Sequence, residues 1–132
     1  MITQAPLLAS LFAVALLFLA ACEGPTVDTA PLMRFLGAKT QLVGQDMVEV
    51  TVSAARPRKG AMQAYADCVG SRYALNRGVG YARRVTSERV GQGDVLTDKV
   101  TFLISPVAPS GDFVLNAGEV VSKCKRAGVP TV

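Results

Sequence analysis

The sequence contains no histidine and no tryptophan among its 132 residues. The absence of histidine excludes every mechanism that needs an imidazole, including Ser-His-Asp hydrolysis, a Cys-His nucleophile, an HExxH zinc site and a His-ligated haem. A histidine-based pH switch is excluded for the same reason. From the sequence we assign no catalytic residue, no metal ligand and no cofactor.

Charged side chains are absent from residues 1–21, and the apolar run from Leu7 to Ala21 is shorter than the roughly 20 residues that span a bilayer. This pattern is typical of a secretory signal peptide. The segment ends in Leu19-Ala20-Ala21-Cys22, which resembles the lipobox of bacterial lipoproteins. In a lipobox the chain is cut before an acylated cysteine, so we predict a lipoprotein signal peptide over 1–21 and fatty acyl chains, such as palmitate, on Cys22. The alternatives are an uncleaved signal anchor, or ordinary cleavage that leaves a free thiol.

Only two cysteines remain once Cys22 is set aside, and Cys68 and Cys124 allow a single pairing. An oxidising periplasm favours their disulfide, which would stabilise the fold by about 4 kcal/mol through the entropy of the unfolded chain. Two buried thiols, or two metal ligands, are the alternatives. The second is a poor zinc site because neither a CxxC motif nor a histidine accompanies it. The long separation disfavours a redox-active pair.

The remaining chain divides into two parts. Residues 22–45 are rich in glycine and proline and have no sustained period, so we predict a lipidated tether. The apolar cluster at 32–36 within it would pack back onto the domain as a strap or a short edge strand. Residues 46–132 are predicted to form one globular domain.

Hydrophobic periodicity predicts five elements in this domain. Alternating valines indicate a strand at 47–53, and an apolar stripe indicates a helix at 61–76 that ends at Gly78. Two further runs, 79–86 and 96–104, read as a hairpin, with Asp98 the exception on the apolar face of the second run.

The last element is a helix that begins at Asn116, with Glu119 three residues later as in a capping box, and runs to about 127. The order strand-helix-strand-strand-helix predicts a small two-layer α+β domain. Its first two strands should run parallel, either adjacent or with the third between them. Both helices would cover one face of a three- to four-stranded sheet, and the Cys68–Cys124 bond would join helix to helix.

Short motifs spread over residues 35–132 carry a resemblance to known sequences. They are Phe35 to Thr40, Tyr65 to Cys68, Tyr73 to Gly78, Gly80 to Arg83, Ile104 to Pro106, and Cys124 with the ending Gly128 to Val132. Together with the lipobox, they resemble a family of small uncharacterised alphaproteobacterial lipoproteins. The resemblance implies export, the fold and the cysteine pair, and it implies no substrate and no catalytic residue.

The chain is basic, with a formal net charge of +4 and a pI near 9.2. Its basic residues gather in three places, namely Arg56, Arg58 and Lys59; Arg83 and Arg84; and Lys123, Lys125 and Arg126. Solvated surface is the simplest interpretation. On a membrane-tethered protein the first and third groups would also contact anionic lipid headgroups or lipopolysaccharide. Nucleic acid is disfavoured because aromatic residues do not alternate with the basic ones.

These observations predict a non-enzymatic module of the cell envelope. The protein would be exported, anchored to the periplasmic leaflet of the outer membrane through lipid on Cys22, and would present a surface to an envelope protein, peptidoglycan or anionic lipid. The alternative is a small hydrolase of cell-wall glycan or lipid, using paired carboxylates among Asp67, Glu88 and Asp98. A cleft in which two carboxyl groups converge would favour the hydrolase.

Overall fold

The computed structural model describes residues 32–132. The predicted signal peptide, Cys22 and the first part of the predicted tether lie outside the described residues. The described chain is α+β, and its elements in order are β1 (Arg34–Leu42), β2 (Met47–Ala55), α1 (Ala61–Asn76), β3 (Tyr81–Arg89), β4 (Val95–Ser105), β5 (Val114–Asn116) and α2 (Ala117–Ala127).

The five strands form one antiparallel sheet in the order β1-β2-β4-β3-β5. Since β2 and β3 are both antiparallel to β4, they run parallel to each other with β4 between them, which is one of the two arrangements expected. The prediction of three to four strands is wrong, because β1 and β5 extend the sheet at its two edges. β1 occupies residues that we predicted to be tether, with a strap or a short edge strand at 32–36; it is an edge strand, and it runs on to Leu42. β5 is too short for its alternation to be read.

The core lies between one face of the sheet and α1. Alternate residues of β2 and β4 point to this face, as the period of two in a strand requires. They include Val48, Val50, Val52 and Phe102, all fully buried. The edge strand β1 joins the same core through Phe35, whose ring meets that of Tyr65 on α1 edge to face at a centroid distance of 4.7 Å. Burial raises the pKa of the Tyr65 phenol, which fits its place in the core.

Helix and sheet approach each other closely at Gly70, in the middle of α1. A Cβ atom at this position would lie 2.8 Å from two ring atoms of Phe102 on β4. Glycine lowers helix propensity by about 1 kcal/mol relative to alanine. The residue is therefore explained by packing, because only a bare α-carbon lets the ring of Phe102 lie against the helix backbone.

The helix ends follow the expected local chemistry. Gly78 adopts a left-handed φ of 78° after α1, and its N–H donates to the carbonyl of Leu75 at 2.9 Å. The side chain of Asn116 accepts from the N–H of Glu119 at the start of α2. α2 packs against α1 and β5. No helix within residues 32–132 is long and apolar enough to span a membrane.

A disulfide joins the two helices. Cys68 of α1 and Cys124 of α2 are bonded with their Cα atoms 6.0 Å apart, and both residues are buried. The bond closes a loop with a sequence separation of 56 residues, for which the chain-entropy treatment gives a stabilisation of about 4 kcal/mol.

Substitution of the two helical glycines tests the packing at Gly70. We expect Gly70→Ala to destabilise the protein by about 1 to 3 kcal/mol despite its better helix propensity, because the new methyl group must displace the ring of Phe102. Gly118→Ala in α2 is the matched control, since its Cβ would meet only Asn116 at 3.6 Å, and we expect no loss of stability. Urea unfolding of both variants measures the difference. Equal effects at the two positions would contradict the packing explanation.

Candidate functional site

An open groove of about 350 Å³ lies beside the first turn of α1, over the part of the sheet that this helix does not cover. We call it the cationic groove. Its lining residues are Pro57, Arg58, Lys59, Gly60, Met62, Gln63, Arg84, Ser87, Arg89, Leu96, Asp98 and Val100.

Four parts of the chain form the cationic groove. The loop between β2 and α1 supplies Arg58 and Lys59, both exposed. Strand β3 supplies Arg84, Ser87 and Arg89, which the register of the sheet places on the helix-covered face. Strand β4 supplies Leu96, Asp98 and Val100, and the first turn of α1 supplies Met62 and Gln63. The groove therefore combines a partly apolar floor with walls rich in positive charge.

Arg84 is held by contacts on several sides. Its Nη2 atom donates to both carboxylate oxygens of Asp67 on α1, each at 2.6 Å. The amide oxygen of Gln63, one turn earlier on α1, accepts from Nη1 and Nη2 at 3.1 Å. The ring of Phe113 lies 5.3 Å from the guanidinium carbon, within the range of a cation–π contact. The guanidinium is thus fixed between helix and sheet at one end of the groove.

Burial governs the titration of Asp67. It raises the pKa of this carboxyl above its ordinary value of 3.8, and it outweighs the hydrogen bond and the charge of Arg84, which lower that pKa. The folded-state pKa is therefore higher than that of the unfolded chain. The part of the stability that depends on the proton of Asp67 is fully present below the ordinary aspartate range and is lost as the pH rises through the raised pKa.

A second ion pair lies at the other end of the groove. Asp98 is 7% exposed although it stands on the apolar face of β4. Its two carboxylate oxygens accept from Nε and Nη2 of Arg89 at 2.8 and 3.2 Å. Arg89 of β3 and Asp98 of β4 lie directly opposite each other in the register of the sheet. The half-exposed Arg89 therefore neutralises a carboxylate that would otherwise be buried alone.

Two cations of the groove have no carboxylate partner within the described part of the chain. The ion pairs there are those of Arg84 with Asp67 and of Arg89 with Asp98. Arg58 and Lys59 stand apart from both pairs and are exposed. α1 begins next to them without an acidic residue in its first turn. The groove therefore has a net positive charge.

The carboxylates considered for a hydrolase each lie beside a different basic residue. Glu88 lies opposite Lys99 on the uncovered face of the sheet, whereas its neighbour Arg89 faces the groove. Asp67 is held by Arg84, and Asp98 is held by Arg89. A glycosidase needs two carboxyl groups that face the same bond, whereas each of these faces an arginine.

The basic residues predicted to form anionic-surface contacts lie in different environments. Arg58 and Lys59 line the cationic groove. Arg56 is half-buried and joins loops, because its N–H donates to Asp94 and its Nη2 donates to Leu32. Of the α2 residues, Lys123 and Arg126 line a shallow depression on that helix. Lys125 lies in the last turn of α2 and is exposed.

Sequence reasoning missed three residues of the groove, namely Gln63, Ser87 and Arg89. A signal for Arg89 was present, because a charged residue on the apolar face of a strand, here Asp98, requires a cation within reach. The partner could not be named because a bulge between Arg84 and Thr86 shifts the register of β3. Elsewhere in residues 32–132, no group of three or more cysteine, aspartate and glutamate side chains is arranged to hold a metal ion.

The comparisons with known proteins cover most of the described chain. A family model described as the YNQ4 C-terminal domain matches residues 35–128. This region includes every strand and helix but the first residue of β1, together with the disulfide and the groove. No curated protein and no solved structure matches the chain.

A double-mutant cycle tests the ion pair that fixes Arg84. We expect Asp67→Leu and Arg84→Met each to lower the free energy of unfolding by about 2 to 4 kcal/mol, because each leaves a buried partner unsatisfied. The double variant should lose at least about 1 kcal/mol less than the sum of the two. Asp67→Asn is the control, since it keeps an acceptor for Nη2 and should cost less than Asp67→Leu. Additive losses in urea unfolding would contradict the coupling.

Proposed function

The chain belongs to the YNQ4 C-terminal domain family, and we propose that it is a non-enzymatic interaction module of the cell envelope that binds an anionic group in its cationic groove. The observation that carries this proposal is the charge of the groove. Two of its four cations are neutralised by Asp67 and Asp98, whereas Arg58 and Lys59 are exposed and lie outside both ion pairs. Such a surface attracts an anion and offers no free acid and base for hydrolysis.

The proposal includes export and lipid anchoring. The lipobox-like Leu19-Ala20-Ala21-Cys22 supports a lipid on Cys22 and a place in the periplasmic leaflet of the outer membrane. The chain from Cys22 to Leu32 can reach at most about 35 Å when fully extended. A domain on so short a tether would act on components at or close to the membrane surface, such as anionic lipid, an envelope protein or peptidoglycan.

The mass of the mature protein tests the anchor. We expect protein extracted from membranes to begin at Cys22 and to carry a diacylglyceryl group, with a further acyl chain on its amine. Intact-mass spectrometry measures this directly. Cys22→Ser is the control and should lose the lipid mass. A mature form without lipid, or one that retains residues 1–21, would reject the anchoring proposal.

Photo-crosslinking in intact cells tests the groove as the binding surface. A benzoylphenylalanine introduced in place of Ser87 should form adducts, and these should be lost when Arg58→Glu and Lys59→Glu are combined in the full-length chain. The matched control combines Arg72→Glu with Arg77→Glu, two exposed residues of α1 and its cap that lie outside the groove. All four positions are exposed, so the thermal midpoint should be unchanged.

Adducts that persist in the control and vanish in the groove variant would support the proposal. No adducts from position 87, or equal losses in the two charge-reversed proteins, would show that the groove is not the binding surface.

A further inference from the structure

The edge of the sheet next to the cationic groove is only half covered. β5 pairs with Tyr81 to Arg83 of β3 and stops there. Phe113 precedes β5 with a left-handed φ of 60°, and its carbonyl accepts from the N–H of Arg84 at 3.2 Å. The outer edge of β3 beyond Arg84 has no strand beside it within the described chain.

The register identifies which backbone groups this edge leaves free. The N–H of Val90 donates to the carbonyl of Thr97 on β4. Backbone groups in an antiparallel ladder alternate between the two neighbouring strands. Glu88 and Thr86 therefore also direct their N–H and C=O groups at β4, whereas Ser87 and Arg89 direct theirs outward. All of these residues are exposed.

The free edge and the groove belong to one surface. Ser87 and Arg89 present their backbone groups along the edge, and their side chains line the groove. In an antiparallel pair, residues that exchange both backbone hydrogen bonds have their side chains on the same face. A strand added here would therefore place alternate side chains over the groove, within the positive field of Arg58 and Lys59.

We propose that the cationic groove binds an extended acidic peptide segment, which adds to the edge of β3 at Ser87–Arg89 and directs every second side chain, a carboxylate, into the groove. This inference rests on the proposed function and names the class of its ligand. Addition of a strand to an open sheet edge is a general mode of peptide recognition, in which backbone hydrogen bonds supply affinity and alternate side chains supply specificity.

The observations favour a peptide over a lipid headgroup. A phosphate would need only the cations, and it would leave the outward N–H and C=O groups of Ser87 and Arg89 without a role. A peptide uses both the charge of the groove and the four backbone groups of the edge. The bulge at Val85 lies before this stretch, so the Ser87–Arg89 register remains regular up to Val90.

Binding of designed peptides to the full-length protein tests the proposal. The probe is a fluorescent, acetylated and amidated nine-residue peptide that alternates aspartate with threonine, measured by fluorescence anisotropy. A second peptide has lysine in place of aspartate. Two further peptides are N-methylated, one at the aspartate residues and one at the threonine residues. Vesicles of phosphatidylglycerol, with phosphatidylcholine as control, form a separate arm.

The N-methylated peptides form a matched pair. The residues whose side chains enter the groove are those whose backbone bonds to β3, so methylation at aspartate should weaken binding at least about tenfold. Methylation at threonine should leave affinity within about twofold, because those N–H groups point away from the sheet. The lysine peptide should not bind, and Arg58→Glu with Lys59→Glu should abolish binding of the aspartate peptide.

The outcomes separate this inference from the proposed function. Equal affinity of the two methylated peptides, with binding still lost in Arg58→Glu/Lys59→Glu, would overturn strand addition and leave the groove as an anion site. Binding of phosphatidylglycerol vesicles through Arg58 and Lys59, without peptide binding, would also overturn it and would identify a lipid headgroup as the ligand. Undiminished peptide binding by the charge-reversed protein, or no binding in either arm, would count against both.

Discussion

The architecture depends on the contact between Gly70 of α1 and the ring of Phe102 on β4. This contact sets how close the helix lies to the sheet and where the two cross. α1 has 16 residues and is about 24 Å long, whereas β4 has 11 residues and is about 37 Å long. A helix seated on Phe102 therefore cannot cover the whole strand. The uncovered part of β4, with the facing part of β3, becomes the floor of the cationic groove.

The positions of the two aspartates that pair with arginine follow from the same geometry. A carboxylate on the apolar face of a central strand is costly unless it is paired. Asp98 is tolerated because it lies where the helix layer ends and where Arg89 can reach it while remaining half exposed. Asp67 is on the helix side of the interface and meets Arg84 in the same way. The helix-covered face of the sheet thus carries its charge along the boundary of the core, which is also the boundary of the groove.

Much of the fold can be predicted from local patterns of the sequence. The bounds of α1 at 61–76, the left-handed Gly78 after it and the cap at Asn116 were all predicted, because each depends on neighbouring residues alone. The disulfide followed from the count of cysteines. β1 and β5 were not predicted as they are. β1 faces the core with few apolar residues, and the three residues of β5 are held by pairing with β3, which no local pattern shows.

The residues of the candidate site were harder to predict from the sequence, because part of the groove also depends on how strands pair. Arg58 and Lys59 stand out in the sequence as a basic cluster, and their loop places them where they are exposed. Arg89 and Ser87 reach the same groove only because the bulge at Val85 reverses the alternation of β3. Without it, the residues after Val85 would present the opposite side chains to the groove. A bulge of one residue between β3 and β4 therefore decides which side chains line the groove. The hydrophobic period of the sequence does not show where such a bulge lies.

One turn of α1 connects the disulfide with the cationic groove. Cys68 bonds to α2, and the adjacent Asp67 holds Arg84 on β3. The helix is thus fixed on both sides at neighbouring residues, which restricts its rotation about its own axis. Gln63 lies one turn before Asp67 and accepts from the same guanidinium, so it is held in the groove by the same restraint. The disulfide lines no part of the groove, yet through α1 it helps to set the position of the wall that Gln63 supplies.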